Sequence, residues 1–326
     1  MVSFYEMKDK GYIPNKLVLK LWLGGAISLS KVLMTTKPSD LKRLRNIKKN
    51  DERFIRPKRE YDIPEFSNDL KYSDTNHKYL RPTLFCDHRE PEVITLANSL
   101  GAFKKSDYEY AESAFHFVKE KLRLEILPFD SVGATLRRGS GTCFHLITAF
   151  IALCRAAGIK ARYKIFAMNM IQAWYDTMVD VDPLIKKWYD SMGYFMLEGE
   201  GEAYINGKWV VAHVGPKAER QAAAGIPITK FGEDSIGRWF FEIPNTTMRL
   251  ESIPYLLGGS SGFLKKLAPG SMERVNISIL KQIEKGRKII KESGGIEKYN
   301  KRARAKKEPE KPNVILKKTD KIIFED

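Results

Sequence analysis

Cysteine and histidine are scarce in this chain of 326 residues, with three cysteines and five histidines. Cys86, Cys143 and Cys154 form an odd, sparse set with no CxxC pair. That argues against a disulfide framework and against a structural zinc site. No metal and no cofactor is expected, and a reducing compartment is the simplest setting. The polar start, MVSFYEMKDKGYIPNK, lacks the layout of a secretory signal. The expected location is therefore the cytoplasm, with attachment to the periphery of a membrane left open. No internal repeat is present, and the chain, 43% hydrophobic and 29% charged, is too apolar for a disordered one.

Acidic residues are also in deficit: 40 against 56 lysines and arginines, a net charge of +16. Such an excess favours anionic partners, nucleic acid or acidic lipid headgroups. The charge crowds at two places, Lys42, Arg43, Arg45, Lys48, Lys49 and Arg53, then Lys301, Arg302, Arg304, Lys306 and Lys307. A basic run is usually a solvated face. No recognition motif accompanies these two, so nucleic acid is the weaker of the anionic partners.

The one long apolar stretch is NKLVLKLWLGGAISLSKVLMT, residues 15–35. Lys16, Lys20, Gly24, Ser28 and Lys31 recur at steps of three or four, so the stretch reads as a helix with one narrow polar stripe. So wide an apolar face must be buried. It can pack on this protein, on a partner protein, or in an anionic membrane surface with lysines at its edge. Lys20 and Lys31 inside the stretch and a Gly-Gly pair argue against a membrane span.

Four regions follow. Residues 1–36 carry the amphipathic helix, and 37–90 form a basic, proline-punctuated extended arm. A compact domain is expected over 91–240, and 241–326 is an extension with a helix near 274–292 and a disordered stretch over 300–313. Within the compact domain PEVITLANSLG reads as a short helix, and 107–121 as a helix with Asp107 as its N-cap. Cys143 to Ala157 reads as a helix closed by Gly158, and KARYKIFAM as a strand. Two further strands meet at Asn206-Gly207, a type I′ hairpin signal, after a helical insertion over 173–191. Helices followed by an antiparallel meander give an α+β fold, with helices packed on an antiparallel sheet.

Cys143 opens its helix, where unpaired N–H groups and the helix dipole favour a thiolate. Gly139 and Gly141 allow a substrate close to the backbone, and Arg137 and Arg138 stand near in sequence. Cys154 falls on the apolar stripe of the same helix and reads as core. A nucleophilic thiol needs a base, normally histidine. His145, two residues on, points about 200° round the helix and away. His213, at the end of a hairpin strand, is the best placed of the five.

LRRGSGTCFHLITAFIALCRAAGIKARY resembles the core motif of the transglutaminase-like superfamily, in which Gly-x-Cys opens a helix that runs into a strand. AESAFHFVKEKLRL, GEAYINGKWVVAHV and AAAGIPITKFGED resemble its flanking pieces in the same order. The resemblance covers about residues 91–235. It implies a papain-like Cys-His-Asp triad that cleaves or exchanges amide bonds through a thioester. The chain departs from the pattern where the first hairpin strand should read His-x-Trp-x-Glu-Val-Tyr. Glu198 stands at the histidine position and Glu200 at the tryptophan position, whereas Glu202 and Tyr204 match. His213 stands where the triad aspartate belongs.

Three readings remain at this point. His213 serves Cys143 as base with Glu198 orienting it; or the triad is broken and the domain only binds; or Glu198, Glu200 and Glu202, on one strand face, form a new site. The first makes the chain a cysteine hydrolase or acyltransferase acting on an amide or related acyl bond of a peptide or protein. Cys143, His213 and Glu198 are then catalytic, and Glu200, Glu202, Arg137, Arg138 and Gly141 contact substrate. The second makes it an inactive scaffold docking on a partner or an anionic membrane.

Overall fold

A computed structural model describes residues 4–46, 51–193, 195–234 and 241–306. A short helix, α1 (Phe4–Asp9), leads into α2 (Lys16–Thr35). Asn15 caps α2 by accepting the Val18 N–H at 2.7 Å. The helix buries Val18, Leu21, Gly25, Ser28, Leu29 and Val32, a face at helical steps. Ser28, expected on the polar stripe, lies on the buried side because its hydroxyl meets that of Ser191 at 2.6 Å. Beside it, Trp188 Nε1 donates to the Gly25 carbonyl at 2.9 Å.

Pro38 starts α3 (Pro38–Arg45) inside the basic arm; Lys48 and Lys49 lie outside the described residues. From 51 to 90 the arm runs over the core and is tied to it. Arg56 pairs with Glu125 at 2.6 Å, the Tyr61 hydroxyl donates to the Leu136 carbonyl at 2.6 Å, and the Ser73 N–H to that of Ala156 at 2.8 Å.

Helices α4 (Pro91–Ser99) and α5 (Asp107–Lys121) open the compact region. The α5 cap is Ser106 rather than Asp107. Ser106 and Glu109 exchange side-chain and backbone bonds in a capping box, which satisfies two N–H groups where Asp107 would satisfy one. A parallel pair, β1 (Arg123–Leu124) and β2 (Ser140–Gly141), brackets α6 (Val132–Arg138). Then α7 (Cys143–Ala156), buried from His145 onward, forms the spine of the core.

The sheet begins with β3 (Ala161–Asn169). An insertion follows: α8 (Gln172–Trp174), a π-helical turn (Tyr175–Val179) and α9 (Pro183–Met192). Next come β4 (Phe195–Ile205) and β5 (Lys208–Ala212). Asn206 and Gly207 join them at φ 50° and 80°, the left-handed pair a type I′ turn demands. After α10 (Ala218–Ala223), β6 (Phe241–Glu242) and β7 (Met248–Leu250) both pair with β3. The antiparallel order is β5-β4-β3-β6, with α7 laid on the sheet. Gly201 makes that approach close: a methyl there would meet Phe150 Cδ1 at 2.6 Å.

Three helices complete the fold, α11 (Tyr255–Leu267), α12 (Pro269–Glu292) and α13 (Ile296–Arg304). The stretch expected to be disordered from residue 300 is helical through Arg304. Tyr299 and Ala303, four apart, bury against Ala218 and Ala222 of α10, and the Tyr299 hydroxyl donates to the Ile226 carbonyl at 2.9 Å. Residues 307–313 lie outside the described residues. Helices packed on an antiparallel sheet make this the α+β fold that the element order implied.

Candidate active site

Three sequence features place the Cys143 thiol. Gly139, at φ 72°, ends α6 and turns the chain into β2. Gly141 then leaves room for the His145 side chain: a methyl on it would overlap His145 Cβ and clash with Cγ at 2.6 Å. That ring, fully buried, pins the start of α7. Its Nδ1 accepts the Thr142 N–H at 3.0 Å, and Nε2 faces Asp130, 3.2 Å from Oδ1 and 3.3 Å from the backbone nitrogen. Burial lowers the His145 pKa and keeps the ring neutral. His145 thus holds the loop that carries the thiol and does not face it.

Cys143 keeps partial exposure and stands on the wall of a pocket. Its thiol neighbours the Glu198 carboxyl and the Phe144 N–H closely enough for both to act on it. The chain leaving β5 passes both groups closely. A methyl on Gly215 would lie 3.1 Å from Cys143 Cβ and 3.2 Å from Glu198 Oε1. Burial raises the Glu198 pKa to about 7, against the pull of the Gly199 N–H, the thiol and Arg220. Burial and the Glu198 charge push the Cys143 thiol well above its ordinary value, against the Phe144 N–H and Arg220. Near neutral pH the thiol is therefore protonated, beside a carboxyl that ionises in the same range.

The other carboxylates of β4 have partners of their own. In the β3–β4 register Lys164 stands opposite Glu200, and Arg162 opposite Glu202. Lys164 Nζ reaches Glu200 at 3.2 Å, and Arg162 Nε reaches Glu202 at 2.6 Å. The three glutamates share a strand face yet serve three different groups, and among the described residues no cluster suited to a metal ion is present. Burial raises the Glu200 pKa to about 7, with Lys164 opposing.

His213 is fully buried, and its Nδ1 lies 3.5 Å from Glu200 Oε1. Burial, with the charges of Lys119 and Lys164, drives its pKa well down and keeps it neutral. The structure thus brings Glu198 to Cys143 and sets His213 beside Glu200. Arg137 pairs with Glu92 on the surface, and Arg138 pairs with Asp130 at 2.6 Å. Burial would raise the Asp130 carboxyl, but hydrogen bonds from His145 and Arg138 prevail and bring it to about 2.

The basic group that acts on the thiol is Arg220, which sequence reasoning passed over. It lies on α10, only 3% exposed, with Nε donating to Gln282 Oε1 at 2.9 Å and its guanidinium 5.6 Å from the Trp174 ring. Nη2 is buried and makes no hydrogen bond. Burial lowers the Arg220 pKa to about 10, and Glu198 and Cys143 hold it charged. The one signal was a lone arginine in AERQAA, just ahead of the AAAGIPITKFGED segment.

The pocket beside Cys143 has a volume of about 270 Å³. Its walls come from α2, α9, α11, α12 and the loop before α6, including Leu29, Phe129, Trp188, Leu257 and Val275. The arrangement offers a thiol, a carboxyl able to take its proton, the N–H groups of a helix start, and an apolar space beside them.

Comparison with known proteins places this core. Residues 94–212 match the family model of the transglutaminase-like superfamily. A solved structure from Cytophaga hutchinsonii, a "Putative Cysteine Protease", aligns at 19% identity and a TM-score of 0.31, over 42% of this chain and 42% of its own. The chain thus spans under half the length of that protein. No curated protein matches it.

Proposed function

We propose that this chain, whose residues 94–212 match the transglutaminase-like superfamily, is a cysteine enzyme of acyl transfer, with Cys143 as nucleophile and Glu198 as its base. The observation that carries the reading is the juxtaposition of the thiol and the Glu198 carboxyl at the start of α7, both against Gly215. A general base works best with a pKa near the working pH, and burial has moved Glu198 there.

As Cys143 Sγ attacks the carbonyl carbon of an acyl donor, its proton passes to the Glu198 carboxylate. The tetrahedral oxyanion lies at the α7 start, where N–H groups and the dipole oppose its charge. Glu198 returns the proton to the leaving alkoxide, amine or thiolate, and a thioester remains. Water, deprotonated by Glu198, then releases the carboxylic acid, and an amine in its place yields an amide. Arg220 opposes the charge on Glu198 and the sulfur throughout. In this reading His213, the base of the family-like triad, takes no part in the proton transfer; its Nδ1 lies 3.5 Å from Glu200 Oε1.

Trapping tests the reading. Brief treatment with an activated acyl ester, followed by intact-mass analysis, is expected to add one acyl group at Cys143 and none in Cys143→Ala. A binding domain without catalysis, which the raised thiol pKa favours, takes up no acyl group at Cys143.

A membrane surface is the partner we propose for α2. Leu19, Leu23, Ile27 and Met34 remain 40–79% exposed, with Lys16, Lys20 and Lys31 exposed on the same side. An apolar ridge edged by lysines suits an anionic interface. Co-sedimentation with vesicles containing phosphatidylserine is expected, and weakened binding in the double variant Leu23→Ser, Ile27→Ser. Equal sedimentation with neutral and anionic vesicles, or none with either, contradicts it.

A further inference from the structure

The pocket beside Cys143 says what kind of acyl group the enzyme takes, given the acyl-transfer reading above. We infer that it holds an aliphatic acyl chain of medium length, its carbonyl at Cys143 and its tail among the apolar walls.

The inference rests on which polar groups the pocket leaves available. Five hydroxyl side chains line it, and three are engaged. Thr142 Oγ1 bonds His145 Nδ1 at 2.8 Å, Ser260 donates to the Leu257 carbonyl at 2.8 Å, and Ser261 donates to Gly258 at 2.6 Å while accepting the Phe129 N–H. The Ser271 and Tyr189 hydroxyls, both buried and without a hydrogen bond, are left to meet a ligand. A peptide entering here would bring an N–H and a C=O with every residue and find almost no partners. An acyl chain brings one carbonyl, at the end where the α7 N–H groups lie, and otherwise needs only apolar contact. Size agrees: an apolar cavity of about 150 Å³ holds benzene, so about 270 Å³ suits a chain of roughly ten carbons.

A series of p-nitrophenyl esters, acetate to hexadecanoate, provides the test. Each buried methylene is worth roughly a fourfold gain in kcat/KM. The acylation rate at Cys143 is expected to climb at about that step to near ten carbons and then to level or fall. Val275→Phe narrows the pocket and is expected to lower the decanoate-to-acetate ratio at least tenfold. Should that variant fail to fold, decanoic acid slowing the alkylation of wild-type Cys143, with acetate inert, reports the same occupancy. Equal rates from acetate to decanoate overturn the inference yet leave acyl transfer standing. If no ester acylates Cys143, the acyl-transfer reading fails and the pocket is judged by thermal shift of Cys143→Ser. Stabilisation by decanoic acid then sustains the chain-binding pocket, and no shift overturns it.

Discussion

Replacing Glu198 with glutamine is expected to lower acyl-ester turnover by about two to four orders of magnitude while making Cys143 easier to alkylate. The two effects have opposite signs because Glu198 does two things to the thiol. It takes the proton during attack, which glutamine cannot do. At rest its charge raises the thiol pKa, so removing that charge increases the thiolate fraction between pH 8 and 9. Wild-type turnover is expected to rise as pH passes through about 7, where Glu198 ionises. The variant should lose that inflection.

Stability gives a third readout for the same substitution. The folded-state pKa of Glu198 is raised, so the native state holds a proton that the unfolded chain releases from about pH 4.5 upward. Its contribution is most favourable below that range and falls away as pH rises to about 7. Glu198→Gln removes the penalty, and at pH 8 the variant is expected to be more stable than wild type by about 1–3 kcal/mol. A residue kept at a cost in stability and needed for turnover is what an active site requires. Equal turnover, or a parallel fall in turnover and alkylation, contradicts the base role.

Lys119→Met is expected to destabilise the fold by about 3–5 kcal/mol at pH 9. The Lys119 side-chain nitrogen is buried in the core, 3.0 Å from the His213 and Pro216 carbonyls, 3.1 Å from Gln221 Oε1 and 2.9 Å from Thr229 Oγ1. It fastens α5 to the chain between β5 and α10, the segment that passes Cys143 and carries Arg220. Methionine fills the space and leaves four acceptors inside the protein. Against this, the variant is relieved of a desolvated cation, because burial and the neighbouring Lys217 lower the Lys119 pKa to about 7.

The balance depends on pH. The folded pKa lies below the unfolded one, so the penalty is full below about pH 7 and fades as pH rises toward 10.5. The stability gap between wild type and variant is thus expected to widen from pH 7 to pH 10, as read by urea denaturation. An unchanged midpoint at pH 9 contradicts the account.

Local chemistry made the core legible in the sequence. The Asn206-Gly207 turn fixed the β4–β5 register, and with it the shared face of Glu198, Glu200 and Glu202. A glycine-rich turn before an apolar run placed Cys143 at a helix start. The partners of these groups come from elsewhere. Lys164 and Arg162 reach Glu200 and Glu202 only because β3 lies beside β4 in one register, and no local signal sets that register. Arg220 sits on a helix of six residues, and its burial depends on α12 crossing α10 so closely that a methyl on Gly286 would overlap the Glu219 carbonyl.

The pocket was hidden for the same reason, since its walls are drawn from Leu29 to Val275. The basic run over α13 read as disorder because its charge outweighed Tyr299 and Ala303, two residues whose burial only the tertiary fold reveals. At Ser106, a capping box shifted a helix start by one residue.

The pH dependence of Cys143 alkylation by iodoacetamide in the wild-type protein tests the central claim most directly. Thiolate–imidazolium pairs persist to low pH and give a reactive plateau near pH 5–6. A thiol whose base is a carboxylate ionising near pH 7, and whose own pKa is raised by that charge, has no such plateau. The account predicts slow alkylation through pH 7 and an increase only above pH 8–9, while acyl-ester turnover already climbs through pH 7. A plateau of alkylation below pH 6 would show a preformed thiolate, and Glu198 would not be its base.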